Sequence, residues 1–282
     1  MSFSKIAVVG GAGTMGIGIV QVAAQAGIQV LLCETSKEAA DKGKAKLDKT
    51  LQKLVDKGKM VAADKQAIME RIILSNNYQD LADVEMVVEA IFENLELKQQ
   101  IFSQLDGICK PETIFATNTS SLSVTAIAAA TKRPEKFIGL HFFNPVPLMK
   151  LVEVVMGLST SEETCQAALD FCGQIGKKSI KAKDTPGFLV NYLQIPLINT
   201  AITALEAGLA SAEDIDAACV YGMNHPIGPL ALLDMLGLDT GLSVFSYMYE
   251  GTNDPRFWPR NLHRRMVQAG HYGRKSGQGF YT

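Results

Sequence analysis

The sequence predicts an α/β chain in which a doubly wound sheet domain over residues 1–184 is followed by an all-α C-terminal domain over residues 185–282. Three observations predict it. Apolar runs of strand length alternate with helix-period segments through the first part of the chain, the pattern of a sheet covered by helices. The first run stops at a glycine-rich turn, and a helical pattern opens immediately after it. Beyond Asp184-Thr185-Pro186-Gly187 the helical patterns lengthen and no strand pattern recurs, which places a domain boundary near Asp184.

Residues 6–9 form a short apolar run that ends in Gly10-Gly11-Ala12-Gly13, as a buried parallel strand does. Met15, Ile19, Val22, Ala23 and Ala26 then recur at helical spacing up to Gly27, a helix-ending glycine. Residues 28–33 make a second strand and complete a βαβ unit. Leu47, Leu51, Leu54 and Val55 mark a long lysine-rich helix. Strands are expected at 72–74, 86–90, 113–116, 137–141 and 151–155, and helices around 95–108 and 164–174. In the second domain the patterns predict helices over 188–209, 212–221 and 229–249, the first kinked at Pro196 unless its N-terminal turn lies close by.

With 47% hydrophobic and 20% charged residues in 282, the chain is neither disordered, collagen-like nor a coiled coil. A net charge of -2 gives no electrostatic reason to expect nucleic acid or an anionic membrane as partner. The five cysteines are scattered, with no CxxC pair and no histidine at zinc-finger spacing, so they read as reduced thiols and no metal site is expected. Residues 17–33 come nearest to a membrane span, but Gln21, Gln25, Gln29 and Gly27 interrupt them. The first strand begins near Lys5, which leaves no room for a signal or transit peptide, and a cytoplasmic location is expected.

Gly11-Ala12-Gly13-Thr14-Met15-Gly16 is a GxGxxG between a strand and a helix, and Glu34 ends the next strand. In that context the glycines let a pyrophosphate approach the helix N-terminus while Glu34 accepts from ribose hydroxyls, a Rossmann-like dinucleotide site. A glycine turn that only packs helix on strand leaves Glu34 unexplained. Glu153 is a lone carboxylate inside an apolar run, costly unless paired. In a hairpin centred on Pro147, His141 and Glu153 face each other, either as a structural pair or as an imidazole oriented for proton transfer. Asn118-Thr119-Ser120-Ser121-Leu122 follows a strand, where open α/β sheets bind ligands, although an N-cap for the next helix explains the same residues. The lysines at 42, 44, 46, 49, 53, 57 and 59 read as a solvated face or as a phosphate-binding one.

Taken together, GAGTMG, Glu-Asn-Leu at 93–95, Asn-Thr-Ser-Ser-Leu, Gly-Leu-His-Phe-Phe-Asn-Pro and Asp-Thr-Pro-Gly-Phe-Leu-Val-Asn resemble the L-3-hydroxyacyl-CoA dehydrogenase family over nearly the whole chain. The resemblance implies NAD-dependent interconversion of a (3S)-3-hydroxyacyl-CoA, short-chain such as 3-hydroxybutanoyl-CoA, and the 3-oxoacyl-CoA, in fatty acid or butanoate metabolism. It implies a homodimer formed through the helical domain, with an acyl-CoA as small-molecule partner. The family's catalytic His falls on His141 and its orienting Glu on Glu153, while Ser120 and Asn191 take the substrate contacts. Cofactor contacts fall on Gly11, Gly13, Thr14, Met15, Gly16, Glu34, Glu93, Lys98, Ser120, Asn144 and Lys275, and coenzyme A contacts on Thr50 and Lys57.

Two residues depart from the family pattern. Glu34 stands where an Asp is usual, and Tyr192 stands where a basic residue often follows the Asn. Two other readings share the two-domain plan. One is another β-hydroxyacid dehydrogenase that relies on a lysine from the helical domain, but no lysine lies around Asn191. The other is a catalytically silent dinucleotide-binding protein, against which His141, Glu153, Ser120 and Asn191 count together.

Overall fold

The computed structural model describes residues 2–281, and the chain divides into two compact units after Asp184. The first unit runs β1 (Lys5–Val9), α1 (Thr14–Gln25), β2 (Gln29–Cys33), α2 (Lys37–Asp56), α3 (Ala62–Glu70), β3 (Ile72–Ser75) and β4 (Met86–Glu89). It continues with α4 (Leu95–Asp106), β5 (Ile114–Thr117), α5 (Val124–Ala128), β6 (Phe137–Phe142), β7 (Leu151–Met156), α6 (Glu162–Gln174) and β8 (Lys178–Lys183). All eight strands form one sheet in the order β3-β2-β1-β4-β5-β6-β7-β8. Every neighbouring pair is parallel except β6 and β7. The order reverses at β1, between β2 and β4, which is where such sheets open a crevice beyond their carboxyl ends.

Val8, Val30, Leu32 and Val88 of the sheet meet Ile19, Val20 and Ala23 of α1 and Leu47 and Leu51 of α2 in a buried apolar cluster that also includes Phe171 of α6. Removing one such Leu side chain typically costs about 2–5 kcal/mol. Gly27 follows α1 at φ +87, the left-handed conformation that a helix-ending glycine adopts without strain.

β8 carries no apolar run. Its sequence KSIKAK places three lysines along a half-exposed edge strand, the device that keeps a sheet edge from pairing with another chain, and it therefore escapes a hydrophobicity reading. α3 and α5 also escape it, being short and lacking a sustained apolar stripe.

The second unit contains α7 (Val190–Glu206), α8 (Ala212–Ala217) with a π-helical turn over Ala218–Gly222, α9 (Pro229–Leu236), α10 (Leu238–Thr252) and α11 (Asn261–Gln268). Its core gathers Ile195, Ile198, Ile202, Leu230, Leu233, Phe245 and Phe257. α7 starts two residues later than its pattern suggests, because Gly187 and Phe188 both take left-handed backbone, at φ +74 and φ +54. A Cβ on Gly187 would meet Met248 Sδ at 2.3 Å, and its φ of +74 strains any other residue there. The single helix expected over 229–249 is two helices. Gly237 at φ +98 breaks it, and α10 starts afresh at Leu238. Among the described residues no single helix is long and apolar enough to cross a membrane. All five cysteines are buried and unbridged.

Candidate active site

The glycine turn after β1 is a close-packed device. Gly10 and Gly11 N–H donate to Cys33 O at 3.0 and 3.3 Å, which folds the turn against the end of β2. A Cβ on Gly16 would lie 2.1 Å from Gly10 O, and one on Gly11 would lie 2.9 Å from both Leu32 Cγ and Val8 O, so neither position admits a side chain. Gly13 caps α1 with no side-chain hydrogen bond, and Thr14, Met15 and Gly16 bring no acid into the first turn. The helix N-terminus is therefore shaped and charged for an anion. Glu34, just beyond β2, accepts from Ala12 N–H at 2.8 Å, which sets its carboxylate beside the same turn.

A second group of residues lies at the ends of β4 and β5. Glu93 Oε1 accepts from the Thr119 hydroxyl at 2.6 Å and from Ser120 N–H at 2.7 Å, while its Oε2 lies 3.4 Å from Lys98 Nζ. Burial alone would raise the Glu93 carboxyl. The Lys98 ammonium and the Thr119 and Ser120 donors outweigh it and hold the group below the usual carboxylate range. Lys98 is fully buried and bonds Glu89 Oε1 at 2.6 Å. The helix after this loop is capped by Ser123, which accepts from Ala126 N–H, rather than by residues 118–122. Asn118 instead accepts from Phe142 N–H at 3.0 Å and ties the loop to β6.

His141 and Glu153 face each other across the antiparallel pair β6 and β7, in the register their spacing predicts. Nδ1 of the imidazole lies 2.6 Å from Glu153 Oε2, and the two residues are 6% and 0% exposed. A carboxylate so placed fixes the orientation of the imidazole ring through Nδ1. The Phe143 ring packs at 4.5 Å from the imidazole.

Thr14, Asn144, Lys46 and Thr50 line one cavity of about 230 Å³ between α1, α2 and the loop after β6. Residues predicted separately for cofactor and for coenzyme A thus share a wall. Lys57 is not among the residues lining it and caps the C-terminus of α2 on the surface. The lysine face is only partly free: Lys44 Nζ is held by Ile72 O at 2.6 Å, and Lys65 from α3 bridges to Asp48 at 2.8 Å. In the second unit Asn191 lies in the first turn of α7, and Lys275 pairs with Asp239 at 2.5 Å. Tyr192 accepts from Arg256 Nη2 at 2.7 Å, so its hydroxyl serves the helical unit itself. The sequence reading passed over Glu89 and Thr117, although a charge closing the apolar run Met-Val-Val-Glu is the same signal that singled out Glu153.

Residues 5–185 match the family profile described as 3-hydroxyacyl-CoA dehydrogenase, NAD binding domain, and residues 187–282 match that of its C-terminal domain. The chain belongs to the 3-hydroxyacyl-CoA dehydrogenase family. Family members include a 3-hydroxybutyryl-CoA dehydrogenase of Clostridioides difficile, 47% identical over 98% of both chains. One of Mycobacterium tuberculosis is 40% identical over 100% of this chain and 99% of its own. The crystal structure of (S)-3-hydroxybutyryl-CoA dehydrogenase from Ralstonia eutropha superposes with a TM-score of 0.96 at 47% identity, covering 100% of this chain and 99% of that one. NAD is the cofactor of this dehydrogenase family, and the uncapped helix and the glycines that tolerate no Cβ fit it.

Proposed function

We propose that this chain interconverts short-chain (3S)-3-hydroxyacyl-CoA, typified by 3-hydroxybutanoyl-CoA, and the 3-oxoacyl-CoA, with the His141–Glu153 pair as its proton-transfer apparatus. The observation that carries the mechanism is the 2.6 Å contact between Nδ1 and a fully buried carboxylate, in the same sheet whose first strand ends in a dinucleotide-type glycine turn. Names of relatives that match over nearly their whole length support the substrate class.

Bound NAD supplies the hydride acceptor. Nε2 of His141 takes the proton of the 3-hydroxyl in oxidation and returns it in reduction, while Glu153 orients the ring and stabilises the imidazolium. Ser120 contacts the reacting oxygen and the cofactor, and Asn191 positions the substrate, both assigned on the family resemblance. Gly11, Gly13 and Gly16, with Thr14 and Met15, hold the pyrophosphate, and Glu34 accepts from the ribose. Glu93, Lys98, Asn144 and Lys275 complete the cofactor contacts, and Thr50 and Lys57 those to coenzyme A. Residues 1–184 bind NAD, and residues 185–282 serve substrate and dimerisation. Leu193, Leu209 and Tyr221, 65%, 79% and 87% exposed on the helical unit, support its covering by a second copy. No nucleic acid or membrane partner belongs to this reading, and the cytoplasm is its compartment.

The test is reduction of 3-oxoacyl-CoA substrates of rising chain length, followed by loss of NADH absorbance. Four-carbon acetoacetyl-CoA should turn over with the highest kcat/KM. No oxidation of NADH with any thioester would leave only the cofactor fold.

A further inference from the structure

Glu89 closes β4 fully inside the protein, and no step assigned above uses it. A carboxylate in that position is strongly destabilising unless paired, and apolar residues of similar volume pack as well as a buried ion pair. Its compensation is complete. Oε1 accepts from Lys98 Nζ at 2.6 Å and from Ile91 N–H at 2.7 Å, and Oε2 accepts from the Thr117 hydroxyl at 2.7 Å.

Two of the three partners, Lys98 and Thr117, lead outward to the same loop. Lys98 on α4 spans the distance to Glu93, whose Oε1 gathers the Thr119 hydroxyl, Ser120 N–H and Ser121 N–H. Thr117, while donating to Glu89, accepts from Thr119 N–H at 3.3 Å. Two carboxylates share one ammonium, so the cluster does more than neutralise a lysine. The inner carboxylate is buried and fully bonded in the sheet, and the outer one accepts from the backbone that presents Ser120.

We propose that Glu89 is a positioning residue: through Lys98 it fixes Glu93, and through Glu93 and Thr117 it holds loop 119–121 in the place from which Ser120 serves the site. The link to catalysis rests on the role given to Ser120 above.

Glu89→Gln keeps the shape and an acceptor for Ile91 N–H while removing the charge that anchors Lys98. Hydrogen exchange on the ligand-free protein reads the loop directly. The amides of Ser120 and Ser121 should exchange at least about fivefold faster than in the parent, while amides of α7 and α10 keep their rates. In turnover, kcat for acetoacetyl-CoA with NADH should fall about tenfold with the KM of the thioester unchanged within about twofold. If the buried Lys98, left with Glu93 alone, prevents folding, the Glu89→Gln/Lys98→Met pair takes its place, and the same loop acceleration is expected. Unchanged loop exchange in a folded variant overturns the proposal whatever the rate does, as does acceleration spread evenly over both units. Faster loop exchange with unchanged kcat upholds the positioning and removes Ser120 from the mechanism.

Discussion

Two carboxylates lie fully buried in the same sheet, Glu153 on β7 and Glu89 on β4, and their partners make them different instruments. Glu153 faces an imidazole at 2.6 Å, and in the proposed mechanism that pair accepts and releases a proton. Glu89 faces a lysine amine, a hydroxyl and a backbone N–H, and its contacts lead to a loop rather than to a second proton-carrying ring. The contrast teaches that a buried carboxylate announces a cost, while the chemistry is written in what compensates it.

The comparison breaks most visibly at the imidazole. His141→Gln should lower kcat by about a hundred to ten-thousandfold, the usual yield of general acid–base catalysis, while the NADH dissociation constant from fluorescence titration stays within about twofold. Glu153→Gln should lose turnover on the same scale with a displaced pH–rate profile. Near-parental turnover of His141→Gln across the pH range would reduce the pair to a structural one.

A third carboxylate, Glu34, sharpens the contrast because it is only half-buried, and in the proposed reading it repels a 2′-phosphate. The parent should prefer NADH, and Glu34→Ser should narrow the NADH to NADPH ratio of kcat/KM by about tenfold or more, a change of about 1.4 kcal/mol. Equal efficiency with both cofactors in the parent would remove Glu34 from cofactor choice.

Smaller effects belong to the surface. Lys57→Ala should raise the KM of the thioester by a few fold, more than it lowers kcat, and the difference should shrink with added salt over the range in which about 10 Å of screening sets in. An unchanged KM returns the exposed end of α2 to a solvated surface.

The smallest effect is on stability. Glu93 has a carboxyl held below its ordinary 4.5, so its contribution is present at neutral pH and is lost as pH falls through the folded value. In urea unfolding, Glu93→Gln should be less stable than the parent at pH 7, and the gap should close as pH drops below about 4.5. A gap that widens on acidification contradicts the ion contacts to Lys98.

Much of this was legible in residue order because the relevant signals are local. Strand, glycine turn and helix follow one another within residues 5–25, and the His141–Glu153 register follows from counting either side of Pro147. Other features carried no such signal. β8 is charged because it is an edge, and the break at Gly237 looks like any glycine in a helical pattern until its φ of +98 is known. Glu89, Lys98 and Glu93 stand close in sequence, yet a strand end, a loop and a helix must fold together before their charges meet.

The sequence by itself determined most elements of the α/β unit, though not β8, α3 or α5, together with the glycine turn and the facing histidine and glutamate, since each depends on periodicity, glycine stereochemistry or hairpin register within a short segment. Only the tertiary structure decided which polar groups are buried together. Desolvation and pairing act between residues whose separation in space is set by the whole sheet, and so Glu93 comes to grip the Ser120 loop and Thr50 to share a cavity wall with Asn144.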